Sequence, residues 1–390
     1  MPAYIGWAAP ASESWMVRAT PNSRPRGLAA QRPPAVSSAV EASIYRAFLW
    51  GHTPRLTIRT GHVVWSHEVG ILWPTWGRRE WEAWRQYPLW GLSACYFSLG
   101  EGAHTAAWGL LPSLHIPLWR NHRWMAAFRI GTGLGYVVRP YDSVTHPTEN
   151  AVGSHWNNLT QFRLGLTYRL SKHWRLQAGT ALTHLSNGAA KLPNFGINLP
   201  GYFFSVVGSA RGIEEAQFLP ATTSRRAIAR WGAMVGGAFA HLEYAVVDGP
   251  KYRLWGASLT SLFHLNRLNR LTLTAEGEYN SAVALFGLQT GAFRSAAEAR
   301  RGAYRFALAP GAEFLFGPVG IHLQAGVYIG GPAINRFAAA PWYSRLTTRY
   351  YFPLLGRAPL RPWVGLGLKA HRVNAEMIAL QFGVALSREK

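Results

Sequence analysis

The stretch Leu182-Thr183-His184-Leu185-Ser186-Asn187-Gly188, followed by Lys191-Leu192-Pro193-Asn194-Phe195-Gly196-Ile197-Asn198, holds the residue types best suited to chemistry in this chain. In an extended segment, residues i and i+2 share a face about 6.6 Å apart, so the His184 imidazole can lean across to the Ser186 hydroxyl. A base beside a weak nucleophile is the core of serine-hydrolase chemistry. Asn187, or the backbone N–H groups of Asn187 and Gly188, can receive a developing oxyanion. Asn198 follows one loop later and can return beside His184 to fix its tautomer. Residue types alone leave a second reading open: a strand end entering a loop, where His, Ser, Asn and Gly are ordinary.

The elements that must position these groups are legible as period-two alternation in segments of about ten residues. In 160–170, Phe162, Leu164, Leu166, Tyr168 and Leu170 alternate with Gln161, Arg163, Gly165, Thr167 and Arg169. Ile378, Leu380, Phe382, Val384 and Leu386 alternate with Ala379, Gln381, Gly383 and Ala385 near the end. A strand with one apolar and one small or polar face sustains this pattern, and a helix does not. Strands are predicted at 54–65, 67–75, 88–99, 107–118, 124–137, 157–170, 173–186, 198–210, 228–242, 251–265, 270–281, 303–316, 319–330, 343–353, 362–370 and 375–387. About sixteen strands is an even count, as bacterial outer-membrane barrels require. On strand 173–186, His184 and Ser186 belong to the apolar phase with Trp174, Leu176 and Leu182. In a membrane barrel they face lipid near a rim, where polar groups are costly and call for a reason.

The composition sets the outer bounds. Of 390 residues, 48% are hydrophobic, 13% aromatic and 15% charged, and mean hydropathy is −0.03. That balance excludes a disordered chain, and no run approaches the ~18 consecutive apolar residues of a spanning helix. The formal charge of +22 suits a nucleic acid, an anionic lipid or another phosphate-bearing partner. The basic residues are scattered rather than blocked, which disfavours nucleic acid. Cys95 is the only cysteine, so no intramolecular disulfide forms. His52, His62 and His67 lack acidic or cysteine partners in sequence, and neither a metal site nor a cofactor is expected. Residues 1–50 read as a disordered, Ala-, Pro-, Ser- and Arg-rich segment with no recognisable secretory signal.

Turn lengths give the topology. Tight turns at 120–123, 171–172, 266–269 and 317–318 alternate with long loops at 138–156, 187–197, 243–250, 282–302 and 331–342, with 211–227 the long exception. By the outer-membrane rule of short periplasmic turns and long external loops, loop 187–197 is external and the C-terminus periplasmic. Trp119, Trp124, Trp156, Trp174, Tyr202, Trp342 and Tyr343 suit interfacial aromatic girdles. The fold class is therefore all-β: an antiparallel transmembrane β-barrel of outer-membrane type. It is either one wide barrel or an eight-strand module plus a second strand-rich half.

His184-Leu-Ser186-Asn187-Gly188, with Pro193-Asn194-x-Gly196, resembles the signature of outer-membrane lipid A 3-O-deacylases of the PagL type and their longer acyloxyacyl hydrolase relatives. Segments 87–91, 129–136, 140–142 and 150–157 extend that resemblance, which covers about 61–211. The resemblance makes 51–211 a deacylase-like barrel module, and the strand pattern with its long exception adds a connector at 212–227 and a second barrel half at 228–390. The resemblance implies a serine esterase in the bacterial outer membrane that removes an ester-linked acyl chain from lipopolysaccharide. His184 would be the base, Ser186 the nucleophile and Asn187 an oxyanion donor. Asn198 stands where those deacylases have Glu, and Glu149 and Asp142 are the nearby carboxylates that could replace it. An Asn-His-Ser set resembles that of outer-membrane phospholipase A, an alternative enzyme. A non-catalytic channel or structural barrel is the alternative of another class. Lys191 is placed to attract lipid A phosphates, and Ser154 and His155 are expected to shape the head of strand 157–170.

Overall fold

The computed structural model describes residues 38–99, 106–213, 218–221, 229–330, 340–354, 359–371 and 374–386. Within them the chain forms two closed antiparallel barrels of eight strands each. The first runs β1 (Ala39–Phe48), β2 (Val63–Pro74), β3 (Leu89–Ser98), β4 (Ala106–Arg120), β5 (Trp124–Val137), β6 (Trp156–Arg169), β7 (Trp174–Ser186) and β8 (Ile197–Gly208). The second runs β9 (Trp231–Glu243), β10 (Lys251–His264), β11 (Asn269–Asn280), β12 (Tyr304–Phe316), β13 (Val319–Gly330), β14 (Trp342–Tyr351), β15 (Leu360–His371) and β16 (Asn374–Leu386). Within each barrel every strand pairs with its chain neighbours, and β1 with β8 and β9 with β16 close the two cylinders. The choice between one wide barrel and two modules thus falls to two barrels.

Alternation builds both faces. Along β2 the side chains are exposed and buried in strict turn from Val63 to Leu72. Outward positions are apolar, among them Val69, Leu164, Leu273 and Phe382, as a lipid-facing band requires. Inward positions are polar and paired. In the first barrel Arg163 Nη2 donates to Glu41 Oε1 at 2.8 Å, and Arg129 Nη1 lies 2.5 Å from Glu68 Oε1. In the second, Arg270 Nε donates to Glu313 at 2.8 Å, Arg345 Nη2 to Glu276 at 2.8 Å and Lys369 Nζ to Glu278 at 2.8 Å. Eight strands leave an interior just wide enough for side chains to fill. These ion pairs occupy it, which opposes an open channel.

Three expectations change. The stretch 39–48, expected within a disordered segment, is β1, whereas residues 1–37 of that segment lie outside the described residues. Residues 54–62, expected as a strand, form a loop: Asn150 accepts from Thr57 N and donates to Arg55 O, and Ile58 is buried with Leu49, Leu99, Leu159 and Leu185 over the barrel mouth. Tyr343 does not join the aromatic girdle. It is 0% exposed and points inward, because its neighbour Trp342 takes the outward position and adjacent strand residues cannot share a face. Trp119, Trp124, Trp156, Trp174 and Tyr202 are exposed on the outer surface.

The barrels touch at both ends. At the tight-turn end the β2–β3 connection carries α1 (Glu80–Trp84), and Arg85 after it donates to Leu268 O at 2.7 Å and stacks 4.5 Å over Phe316. Leu114, outward on β4, is buried there with Phe316 and Ile321. At the long-loop end, the β7–β8 loop reaches the second barrel. The long β11–β12 loop carries α2 (Ser281–Gln289), capped by Asn280, and α3 (Ala296–Gly302), capped by Ser295.

Candidate active site

β6, β7 and β8 present the motif. Their register sets His184 opposite Asn198 on β8 and Thr160 on β6, with Ser186 opposite Asn158. Cross-strand partners share a face, and His184 shares its phase with the exposed Leu182 and Trp174. The imidazole, the hydroxyl and the amide are therefore all on the outer side of the barrel, at the end where β7 runs into the long loop 187–196.

His184 bridges its two partners. Its Nδ1 lies 2.7 Å from Asn198 Oδ1 and its Nε2 lies 2.9 Å from Ser186 Oγ. An amide oxygen only accepts, so Nδ1–H donates to Asn198, Nε2 is unprotonated, and the Ser186 hydroxyl donates to it. Asn198 is held in turn: its Nδ2 donates to His52 Nδ1 at 3.1 Å, and His52 Nε2 lies 3.0 Å from the Phe195 carbonyl. His52 Nδ1 also lies 3.2 Å from the Trp50 carbonyl, so it accepts from Asn198 Nδ2 only in the tautomer that carries its hydrogen on Nε2, the one that donates to Phe195 O. Trp50 N, two residues earlier, donates to Asn198 O at 3.0 Å and ties the β1–β2 loop to β8. In that tautomer of His52 the chain of bonds sets Asn198 Oδ1, rather than Nδ2, toward His184.

Where a triad carboxylate becomes an amide, the loss reaches about 10⁴-fold when the amide imposes the wrong histidine tautomer. Here Oδ1 rather than Nδ2 faces Nδ1, so the tautomer suits a base. What is absent is the carboxylate's charge opposite an imidazolium. Neither Asp142 nor Glu149 supplies it. Asp142 Oδ1 accepts from Thr145 N at 2.7 Å and Val144 N at 2.9 Å, and these bonds hold its carboxyl below the usual range. Glu149 lies in the same loop, where partial burial raises its carboxyl pKa.

The loop after Ser186 is tightly pinned. Asn187 N donates to Asn194 Oδ1 at 3.0 Å, while Asn187 Nδ2 donates to Ser154 Oγ at 2.8 Å and Lys191 O at 2.9 Å. All three Asn187 N–H groups are thereby committed, and its side chain braces the loop. Asn194 Nδ2 is buried without a hydrogen-bond partner among the described residues. Gly188 follows with φ +60. Gly196, at φ +86, lets the returning chain pass the imidazole, because a Cβ there would lie 2.8 Å from His184 Cε1. Ser154 thus reaches the loop, whereas His155 stacks on Tyr136 and bonds Val137 O at 2.9 Å. Lys191 Nζ lies 3.2 Å from Asp248.

His52 and Asn194 are the two members that sequence reasoning missed. His52 lies more than a hundred positions from the motif, and only barrel closure brings its loop to β8. Asn194 carried a signal, since it stands in the Pro193-Asn194-x-Gly196 string. Together these groups can transfer a proton from a hydroxyl to an imidazole at a lipid-facing surface. Ser186 is 1% exposed.

The family model for lipid A 3-O-deacylase (PagL) matches residues 66–206, and that for the acyloxyacyl hydrolase C-terminal domain matches residues 229–388. Among solved structures, the outer membrane enzyme PagL aligns at 16% identity over 43% of this chain and 97% of its own, with a TM-score of 0.29. The KdgM porin aligns at 7% identity over 72% of this chain and 92% of its own, TM-score 0.18. An outer membrane channel from Pseudomonas putida F1 aligns at 10% identity over 90% and 96%, TM-score 0.21. No curated protein sequence matches the chain. One barrel is thus matched by each model: the first is a module of the PagL lipid A 3-O-deacylase family, the second an acyloxyacyl hydrolase C-terminal domain, and the chain is a protein of the bacterial outer membrane.

Proposed function

We propose that this protein is a serine esterase that hydrolyses an ester-linked acyl chain of lipid A, with Ser186 as nucleophile, His184 as base and Asn198 as the group that orients the base. The observation that carries the reading is His184 bonded at once to Ser186 and Asn198 on the outward face of a barrel of deacylase family. A lipid in the outer leaflet meets that face by lateral diffusion.

Ser186 Oγ attacks the ester carbonyl as its proton passes to His184 Nε2. The carbonyl oxygen becomes an oxyanion, and Asn194 Nδ2 and the Gly188 N–H are the donors left to receive it, since those of Asn187 are occupied. Collapse expels the sugar oxygen, which takes the proton from His184, and leaves an acyl ester on Ser186. Water then gives a proton to His184 and attacks that ester. A second collapse releases the fatty acid and restores the Ser186 hydroxyl. Asn198 stabilises the imidazolium through a hydrogen bond without a countercharge, so its contribution is orientation.

The test is release of 3-hydroxy fatty acid from lipopolysaccharide, read by mass spectrometry of lipid A. Ser186→Ala should abolish it, and unchanged release would refute the assignment. The amide at position 198 also favours a phospholipase reading. Supplying phospholipid and lipopolysaccharide side by side, with and without calcium, separates the two.

A further inference from the structure

The second barrel does not close along its whole seam. β16 pairs with β9 only from Leu380 opposite Phe239 to Leu386 opposite Ala233. Above that point a bulge on β16 breaks the register with β15: Lys369 faces Met377 and Ala370 faces Ala375, leaving Glu376 over. A bulge bends its strand, and β16 leaves the 240–243 edge of β9 unpaired by its expected neighbour.

The first barrel fills that notch with the segment that follows Ser186 and Asn187. Glu243 N donates to Ala189 O at 2.8 Å, and Glu243 Oε2 accepts from Leu192 N at 2.8 Å. Lys251 Nζ donates to Ala190 O and lies 3.3 Å from Glu243 Oε1. Ala189 and Leu192 are buried with Ala240, Leu242, Leu254 and Met377. On the β16 side, a Cβ on Gly188 would lie 2.4 Å from Ile378 N. Glu243 is itself 4% exposed. A buried carboxylate is costly unless it is paired and hydrogen-bonded, as Glu243 is by Leu192 N and Lys251, and a charge-assisted bond to a backbone N–H is among the stronger ones.

We propose that the second barrel moulds the oxyanion loop of the first, and that Glu243 is a positioning residue for the hydrolysis; this rests on the proposed function above. The residues gripped, 188–192, lie between Ser186 and Asn194, so their path sets where the Gly188 N–H and the Asn194 amide stand relative to the serine. A displacement of about 1 Å in such a group costs on the order of 10²-fold in rate.

The experiment uses the purified full chain in detergent with lipopolysaccharide, each variant first checked for the heat-modifiable mobility of a folded barrel. Glu243→Ala should lower kcat about 10- to 100-fold with KM within about twofold, and should slow labelling of Ser186 by a fluorophosphonate probe to the same degree. Glu243→Gln keeps an oxygen for Leu192 N and should restore kcat to within about threefold of the parent. Lys251→Met, at an exposed position, should lower kcat about threefold to tenfold. A folded Glu243→Ala with parental kcat, a loss confined to KM, or failure of Glu243→Gln to recover would overturn the proposal. If Glu243→Ala does not fold, parental kcat in Lys251→Met overturns it instead. Equal fatty acid release by the parent and Ser186→Ala would sink the esterase reading itself, and the positioning role with it.

Discussion

Asn198 stands between two histidines: its Oδ1 is 2.7 Å from His184 Nδ1 and its Nδ2 is 3.1 Å from His52 Nδ1. An amide has a donor end and an acceptor end, and the wrong one toward His184 would strip the base of its function. With its hydrogen on Nε2, His52 supplies the acceptor that makes the right one the stable choice. Removing it should let the amide turn. His52→Ala is expected to lower kcat about 10-fold to 100-fold, while Asn198→Ala lowers it further, to about 10²- to 10³-fold. The double variant should be no worse than Asn198→Ala, because His52 acts only through Asn198. Steady-state kinetics on lipopolysaccharide decides this, and additive losses would contradict it.

The pH profile follows from the same bonds. His184 Nε2 must be unprotonated to take the serine proton. On the acid side of that titration kcat/KM should fall by about tenfold per pH unit, since the protonated ring cannot act as base. An acid limb absent down to about pH 4 would exclude histidine base catalysis.

Gly196 gives a steric test. A Cβ at this position would lie 2.8 Å from His184 Cε1, and the φ of +86 disfavours any side chain. Gly196→Ala should displace the imidazole and cut activity by about 10²-fold while the barrel still folds. Full activity in a folded Gly196→Ala protein would mean that the ring is free to shift without cost.

The interior charges predict stability rather than activity. Glu313 accepts from Arg270 Nε at 2.8 Å and Tyr351 OH at 2.7 Å, and lies 3.3 Å from Arg349. Glu313→Ala leaves two guanidinium groups buried without their counterion, at a cost of about 3–5 kcal/mol. The expected result is a lower midpoint in urea unfolding followed by heat-modifiable mobility, with residual activity per folded molecule unchanged. The same filled interiors predict no ion conductance in planar bilayers, where steady open-channel steps would contradict the packing.

Much of this was legible in one dimension. Alternation is a local property, and each strand from 88 onward carried it, because an apolar outer face and a polar inner face are imposed residue by residue. The phase of β7 alone put His184 and Ser186 on the apolar side, and the two-residue spacing alone put them within reach of one another. β1 escaped because its inward residues include Glu41 and Tyr45, which make sense only opposite Arg163 and Glu68. Tyr343 was misplaced because two adjacent aromatic residues offer no sign of which one faces lipid.

What the linear order could not decide is what depends on closure. The edge of β1 needs β8 to pair with, and that pairing carries His52 to Asn198 from 146 positions away. Whether sixteen strands make one cylinder or two depends on which edges hydrogen-bond, a choice between pairings of similar local quality. The parted seam of β9 and β16 has no local signature either, since it arises from one extra residue in a strand and from a loop of another barrel that satisfies the exposed edge. Residue order set the faces and the chemical groups; closure of the barrels set the partners, because a hydrogen bond between distant segments is specified by neither segment alone.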